Sequence, residues 1–133
     1  MEPHSHGSAQ FIALLRTASV EAAQLAAAWL KEAMQQLVSI QCSGEHSPEG
    51  TPPYMESGRG RDSIQMNPLP NGAEVGVVSL GTPNMIGDNY MAGWDSPDGI
   101  RGFQRPWLSL WTRYESEMAQ IMTSHLKQKT GAT

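Results

Sequence analysis

Apolar residues in the first third of the chain recur at spacings of three and four: Phe11, Leu15, Ala18, Ala22, Leu25, Trp29, Ala33 and Leu37. That period lays them along one stripe of a helix. With Ser8 in front as an acceptable N-cap, the spacing predicts a helix over residues 8–38, roughly eight turns long. Ala22, Ala23, Ala26, Ala27 and Ala28 make part of it narrow, so another helix or a sheet approaches closely there. Ile12, Leu14 and Leu30 fall beside the stripe and widen the apolar face beyond what one small sheet covers. A second packing partner, another subunit among the candidates, follows from that width.

The pattern then changes. Residues 39–60 hold Ser, Gly and Pro without periodicity and read as a loop. Residues 61–79 read as an antiparallel hairpin: a strand with Ile64 and Met66 on one face, a turn over residues 67–72, and a returning strand in which Gly76 predicts a bulge or a close backbone approach. Residues 80–105 read as loops around a short third strand from Tyr90 to Trp94, with a tight turn at Asp95 to Gly99. Pro106 suits a first helical turn, and Trp107, Trp111, Tyr114, Met118, Ile121 and His125 recur at four and three, predicting a second helix over residues 106–127. Lys127 and Lys129 favour the negative end of its dipole.

The expected product is a single domain over residues 8–129, preceded by a polar, disordered tail at residues 1–7. Its class is α+β, with the long N-terminal helix and the C-terminal helix packed on a small antiparallel β-sheet with long loops. Trp29, Ile64, Tyr90, Trp94, Phe103, Pro106, Trp107 and Trp111 are the expected core. Trp107, Trp111 and Tyr114 have a second reading as an interface stripe.

Composition narrows the possibilities. The chain has 133 residues, and a domain this small buries roughly two-thirds of its unfolded surface. It has 9 basic and 13 acidic side chains, a net charge of −4, whereas a protein that clamps nucleic acid by its phosphates is expected to be basic. Residues 1–58 carry Arg16 and Lys31 against six acids, and residues 101–129 carry five basic side chains against Glu115 and Glu117. This asymmetry reads either as two solvated helix faces or as attraction between copies. The single Cys42 excludes an intramolecular disulfide and reads as a buried or half-exposed thiol. No run approaches the ~18 apolar residues of a membrane span, and the first residues lack a secretory leader pattern.

No catalytic or metal constellation emerges. Gly58-Arg59-Gly60-Arg61 lacks the Gly-Lys-Ser/Thr of a phosphate loop and is a single copy, unlike RNA-binding arginine-glycine tracts. Pro97 and Gly99 break the ligand alternation that would make the loop starting at Asp95 a calcium site. Cys42 and His46 are two zinc ligands without a second pair, and a metal role for His4 and His6 is the weaker reading. His125 falls on an apolar helix stripe, and Glu115 and Glu117, two apart, face different ways. No catalytic residue, metal ligand or cofactor is expected.

Two short segments carry more information. The first is Pro52-Pro53-Tyr54-Met55-Glu56-Ser57-Gly58-Arg59-Gly60-Arg61-Asp62-Ser63-Ile64, and the second Gly102-Phe103-Gln104-Arg105-Pro106-Trp107-Leu108. The first resembles the signature with which a family of tailed-bacteriophage neck proteins leaves a proline-rich loop for its first strand. The second resembles that family's approach to its C-terminal helix. These are small tail-component and tail-completion proteins of long-tailed phages. The likeness spans residues 8–127 in the same order. Where members follow their Tyr-Ala strand with Glu and a Gly-Thr pair, this chain has Asp95-Ser96-Pro97, with Asp95 in the place of the glutamate.

The resemblance implies a structural virion protein of the neck, a head–tail connector in a stopper or tail-completion role, made in the bacterial host cytoplasm. It implies a homo-oligomeric ring, six-fold by expectation, between the phage connector or adaptor and the tail terminator or tail-tube proteins, with DNA passing through unread and no membrane contact. Arg59, Arg61, Asp62, Asp95 and Arg105 are then the expected subunit-interface residues. Arg59 and Arg61 also read as surface residues of a turn launching an edge strand, and Arg105, beside Pro106, suits an intrachain bond that fixes the start of the second helix. The competing class is a small soluble enzyme or ligand-binding domain, which needs a pocket with converging polar groups.

Overall fold

A computed structural model describes residues 5–41, 44–55, 58–77, 91, 94–97, 99–100 and 102–131. Helix α1 spans Ser5–Leu37, so residues 5–7, expected in a disordered tail, extend its first turn. Its buried line is Ala18, Ala22, Ala26, Leu30, Met34 and Val38. Beyond Ala22 that line lies one residue on from the expected stripe of Leu25, Trp29, Ala33 and Leu37, and it takes in Leu30. The reason is that α1 has two partners. The hairpin lies against one flank, where Gln24 Nε2 donates to the carbonyls of Leu69 and Gly72 and Gln35 Nε2 donates to that of Ile64. The C-terminal helix lies against the other, where the Trp29 ring meets Tyr114 edge-on at 5.6 Å and Glu21 Oε1 is 3.1 Å from His125 Nε2. The line between those flanks is enclosed, and its alanines let both partners come close.

Helix α2 is one turn, Arg59–Asp62, where the sequence pattern predicts loop and then strand. Gly58, at φ 85°, precedes it, the Asp62 N–H reaches back to the Gly58 carbonyl at 2.9 Å, and the Ser63 hydroxyl closes the turn on the Gly60 carbonyl. Strand β1 (Ile64–Leu69) then pairs antiparallel with β2 (Gly72–Val77), from Ile64 opposite Val77 to Leu69 opposite Gly72. Gly76 pairs in register with Gln65 and has open space where a Cβ would stand, so the expected bulge is absent. Met91 and Trp94 have helical backbone where a third strand is expected, as does Asp95 where a tight turn is expected, and Tyr90 lies outside the described residues.

The predicted second helix is two segments, a 3₁₀ stretch at Leu108–Tyr114 and helix α3 at Glu115–Thr130, closed by Gly131 at φ 74°. The 3₁₀ pitch changes which side chains are buried. At three residues per turn, a residue four further on is rotated by about 120° instead of the ~40° of an α-helix. Trp107 is therefore enclosed, while Trp111, expected in the core, is 43% exposed. Phe103, also expected in the core, is 50% exposed, on a tight turn in which it and Ile100 exchange backbone hydrogen bonds.

Leu30, Met34, Val38, Ile64, Met91 and Trp107 form the buried centre, with Trp29 and Trp94 partly buried against it. Pro106 is half-buried beside Trp107. The fold is thus α+β, two helices with a two-stranded antiparallel sheet, and α1 is the element against which hairpin and α3 both pack.

Gly99 holds the turn that leads into this region. It sits at φ 64°, and a Cβ there would stand 2.2 Å from the Phe103 carbonyl oxygen. Gly99→Ala is expected to destabilise the domain by at least ~2 kcal/mol, combining left-handed strain with a backbone clash. A urea midpoint equal to that of the unchanged chain would count against this packing.

Candidate functional site

The residues from Trp94 to Trp107 build an elbow. Asp95 Oδ1 accepts from the N–H groups of Trp107 at 2.9 Å and Ser109 at 3.0 Å, and from the Ser109 hydroxyl at 3.0 Å. It thereby serves as the cap that the 3₁₀ segment lacks on its own N-terminal side chain. The Trp107 indole N–H donates to the Met91 carbonyl, satisfying the one polar atom of an otherwise apolar side chain. Gln104 spans the elbow, its Nε2 donating to the Asp95 carbonyl and its own carbonyl accepting from the Gly50 N–H at 2.9 Å.

Arg105 lies inside this elbow and not at the surface, with 8% of its area exposed. Its backbone N–H donates to the Trp94 carbonyl and its Nε to the Ser47 carbonyl at 2.7 Å. The guanidinium carbon stands 4.5 Å from the centre of the Trp94 ring and 5.8 Å from that of Phe103, within cation–π range. His46 adds a tilted ring 6.3 Å from Trp94. The intrachain bond suggested by its position beside Pro106 is therefore present, and it ties the 44–55 loop to the C-terminal segment.

The other expected interface residues lie apart from the elbow. Arg61 Nε bonds its neighbour Asp62 Oδ1 at 3.0 Å on an accessible surface, a pair that contributes about 0–1 kcal/mol. Arg59 is in the same turn, at the opposite end from Asp62. The structure brings Asp95 and Arg105 together and leaves the Arg61–Asp62 pair as a separate surface feature. Ser47 is what sequence reasoning missed: 58 positions separate it from Arg105, and nothing in the short run His46-Ser47-Pro48 signals a partner.

A second feature is the exposed end of α1. Residues 9–17 are all exposed, and α1 runs on past the end of α3, since His125, near the end of α3, is already opposite Glu21. Phe11, Ile12, Leu14 and Leu15 stand in water there, and Leu25, 48% exposed, stands nearer the body. By length and composition α1 is long and apolar enough to cross a membrane, with a mean hydropathy of 1.2 over its best window, contrary to the expectation that no run approaches that limit. Its alanines and leucines produce that value, and the same helix carries the domain's core.

An open cleft of about 470 Å³ is lined by Trp29, Glu32, Ala33, Gln36, Leu37 and Tyr114. Glu32 is the single carboxylate among the residues lining it, and Tyr114 is the one other ionisable side chain there. Among the described residues no three His, Cys, Asp or Glu side chains are grouped to hold a metal. No family model, curated protein or solved structure matches the chain.

Proposed function

We propose that this chain is a structural subunit of a tailed-phage neck, copies of which close into a ring that joins head to tail. The observation that carries the reading is the exposed apolar end of α1, where Phe11, Ile12, Leu14 and Leu15 cluster within five positions and are 39–51% exposed. Large apolar groups clustered in this way mark surfaces that another protein covers. Identical subunits joined by a heterologous contact close into a ring when the rotation permits. The two motifs around Arg61 and Arg105 support the neck assignment by resemblance, and a subunit charge of −4 disfavours adhesion of passing DNA.

The ring acts as adaptor and seal. Its subunit is expected to be monomeric or weakly associated when dilute and six-fold in the assembled particle. Light scattering across a concentration series, with cryo-electron microscopy of joined particles, measures both. A single copy or a two-fold dimer in the neck would overturn the ring.

A further inference from the structure

Phe11 and Trp29 are five whole turns of α1 apart at ~3.6 residues per turn, so the exposed end of the helix and the cleft at Trp29 lie on one face of it. Leu14 shares its direction with Glu32 in the same way, and Leu15 with Ala33. The C-terminal segment lies along this face between the two features, from His125 opposite Glu21 to Tyr114 against Trp29. Past both of its ends the face is open. At one end stand the exposed Phe11, Leu14 and Leu15, and at the other the cleft of about 470 Å³ lined by Trp29, Glu32, Ala33, Leu37 and Tyr114.

One continuous helix carries both features about 27 Å apart, so the exposed end cannot reach its own cleft, whereas that of a neighbour can. We infer that the cleft receives the α1 end of a second copy of this chain, laid along Trp29 to Leu37 in line with α3. Charge favours that occupant. Arg16 is the one charged side chain among residues 9–17, Glu32 is the one carboxylate lining the cleft, and both are exposed. The contact joins two different patches and is therefore heterologous, with every copy giving an end and offering a cleft. It rests on the assembly reading and adds to it the surface that receives the neighbour. Four half-exposed apolar side chains bury on the order of a few hundred Å², against roughly 800 Å² per partner in a stable pair. A single contact is therefore weak, and closure of a ring, in which each copy makes it twice, sustains it.

Charge exchange tests the pairing, because Arg16 and Glu32 are about 24 Å apart along α1 and no contact within one chain links them. Arg16→Glu, Glu32→Arg and the double variant are expected to keep the circular dichroism of the unchanged chain. Sedimentation velocity over a concentration series is expected to show association weakened about tenfold by either single reversal, which sets like charges together, and restored to within about threefold in the double variant. The fraction of joined heads and tails is read for the same chains and carries the test where the purified protein stays monomeric. Reversals that move neither readout overturn the contact, as does a double variant no better than the single ones. A six-fold ring whose α1 end sits away from Trp29 of the next copy also overturns the contact, and it leaves the assembly reading standing. Association that follows the charge exchange while joining of heads and tails does not leaves the contact and removes the neck. Co-sedimentation of the unchanged chain, but not of Phe11→Gln, with phosphatidylcholine vesicles would place the α1 end in lipid and overturn the contact as well.

Discussion

Trp107→Ala is expected to remove about 3–5 kcal/mol of folding free energy, the largest loss from any single side chain described here. Trp107 is 1% exposed and packs among Leu30, Met34, Val38, Ile64 and Met91, so it joins α1, the hairpin and the helical stretch at Met91 in one cluster. Among the described residues this is the one buried cluster, and a chain of this size is stable by only about 5–15 kcal/mol. The melting temperature should fall by roughly 10–20 °C. Trp107→Phe separates packing from hydrogen bonding. It keeps most of the apolar bulk but deprives the buried Met91 carbonyl of its indole donor, a loss of about 1–3 kcal/mol. Urea unfolding of both variants checks the order. An alanine variant within 1 kcal/mol of the unchanged chain would mean that the centre of the fold lies elsewhere.

Parts of this arrangement were legible in the sequence. Ile64 is readable as core because it is an isolated large apolar residue beside a turn signal, and Trp107 because it opens the run of apolar residues spaced by four and three after Pro106. The buried line of α1 was not fixed, because Leu25, Trp29, Ala33 and Leu37 alternate with Ala26, Leu30, Met34 and Val38, and both sets run along the same helix. Periodicity cannot choose between adjacent apolar stripes until the positions of the flanking elements are known. The 3₁₀ pitch from Leu108 was hidden for a related reason. Trp107 and Trp111 are four apart and read as α-helical, whereas the pitch is accompanied by a cap from Asp95, twelve residues upstream of Trp107. The Arg61 segment became a helical turn because Ser63 bonds the Gly60 carbonyl, a local competition between side chain and strand that β propensity does not register. Ser47 meets Arg105 through tertiary structure alone.

Replacing Phe11, Ile12, Leu14 and Leu15 together with glutamine is expected to leave the monomer intact and stop its assembly. All four are exposed and outside the buried cluster, and glutamine is a good helix former, so each change should move stability by no more than about 0.5 kcal/mol. In the proposed ring they are the apolar surface that a neighbour covers. Each is already about half shielded by its own helix, so completing its burial contributes roughly 1 kcal/mol, about half the value for burying a large apolar side chain from full exposure. Four such losses, about 4 kcal/mol together, weaken association on the order of 10³-fold. Residues this close couple, so the combined variant is more informative than a sum of single ones. Circular dichroism and melting temperature report the monomer, light scattering reports self-association, and electron microscopy reports the fraction of joined particles. Unchanged folding with joining lost supports α1 as the seam. Unchanged joining would make the end of α1 a solvated extension and would remove the observation on which the assembly reading rests, while a lower melting temperature would show that these side chains belong to the fold.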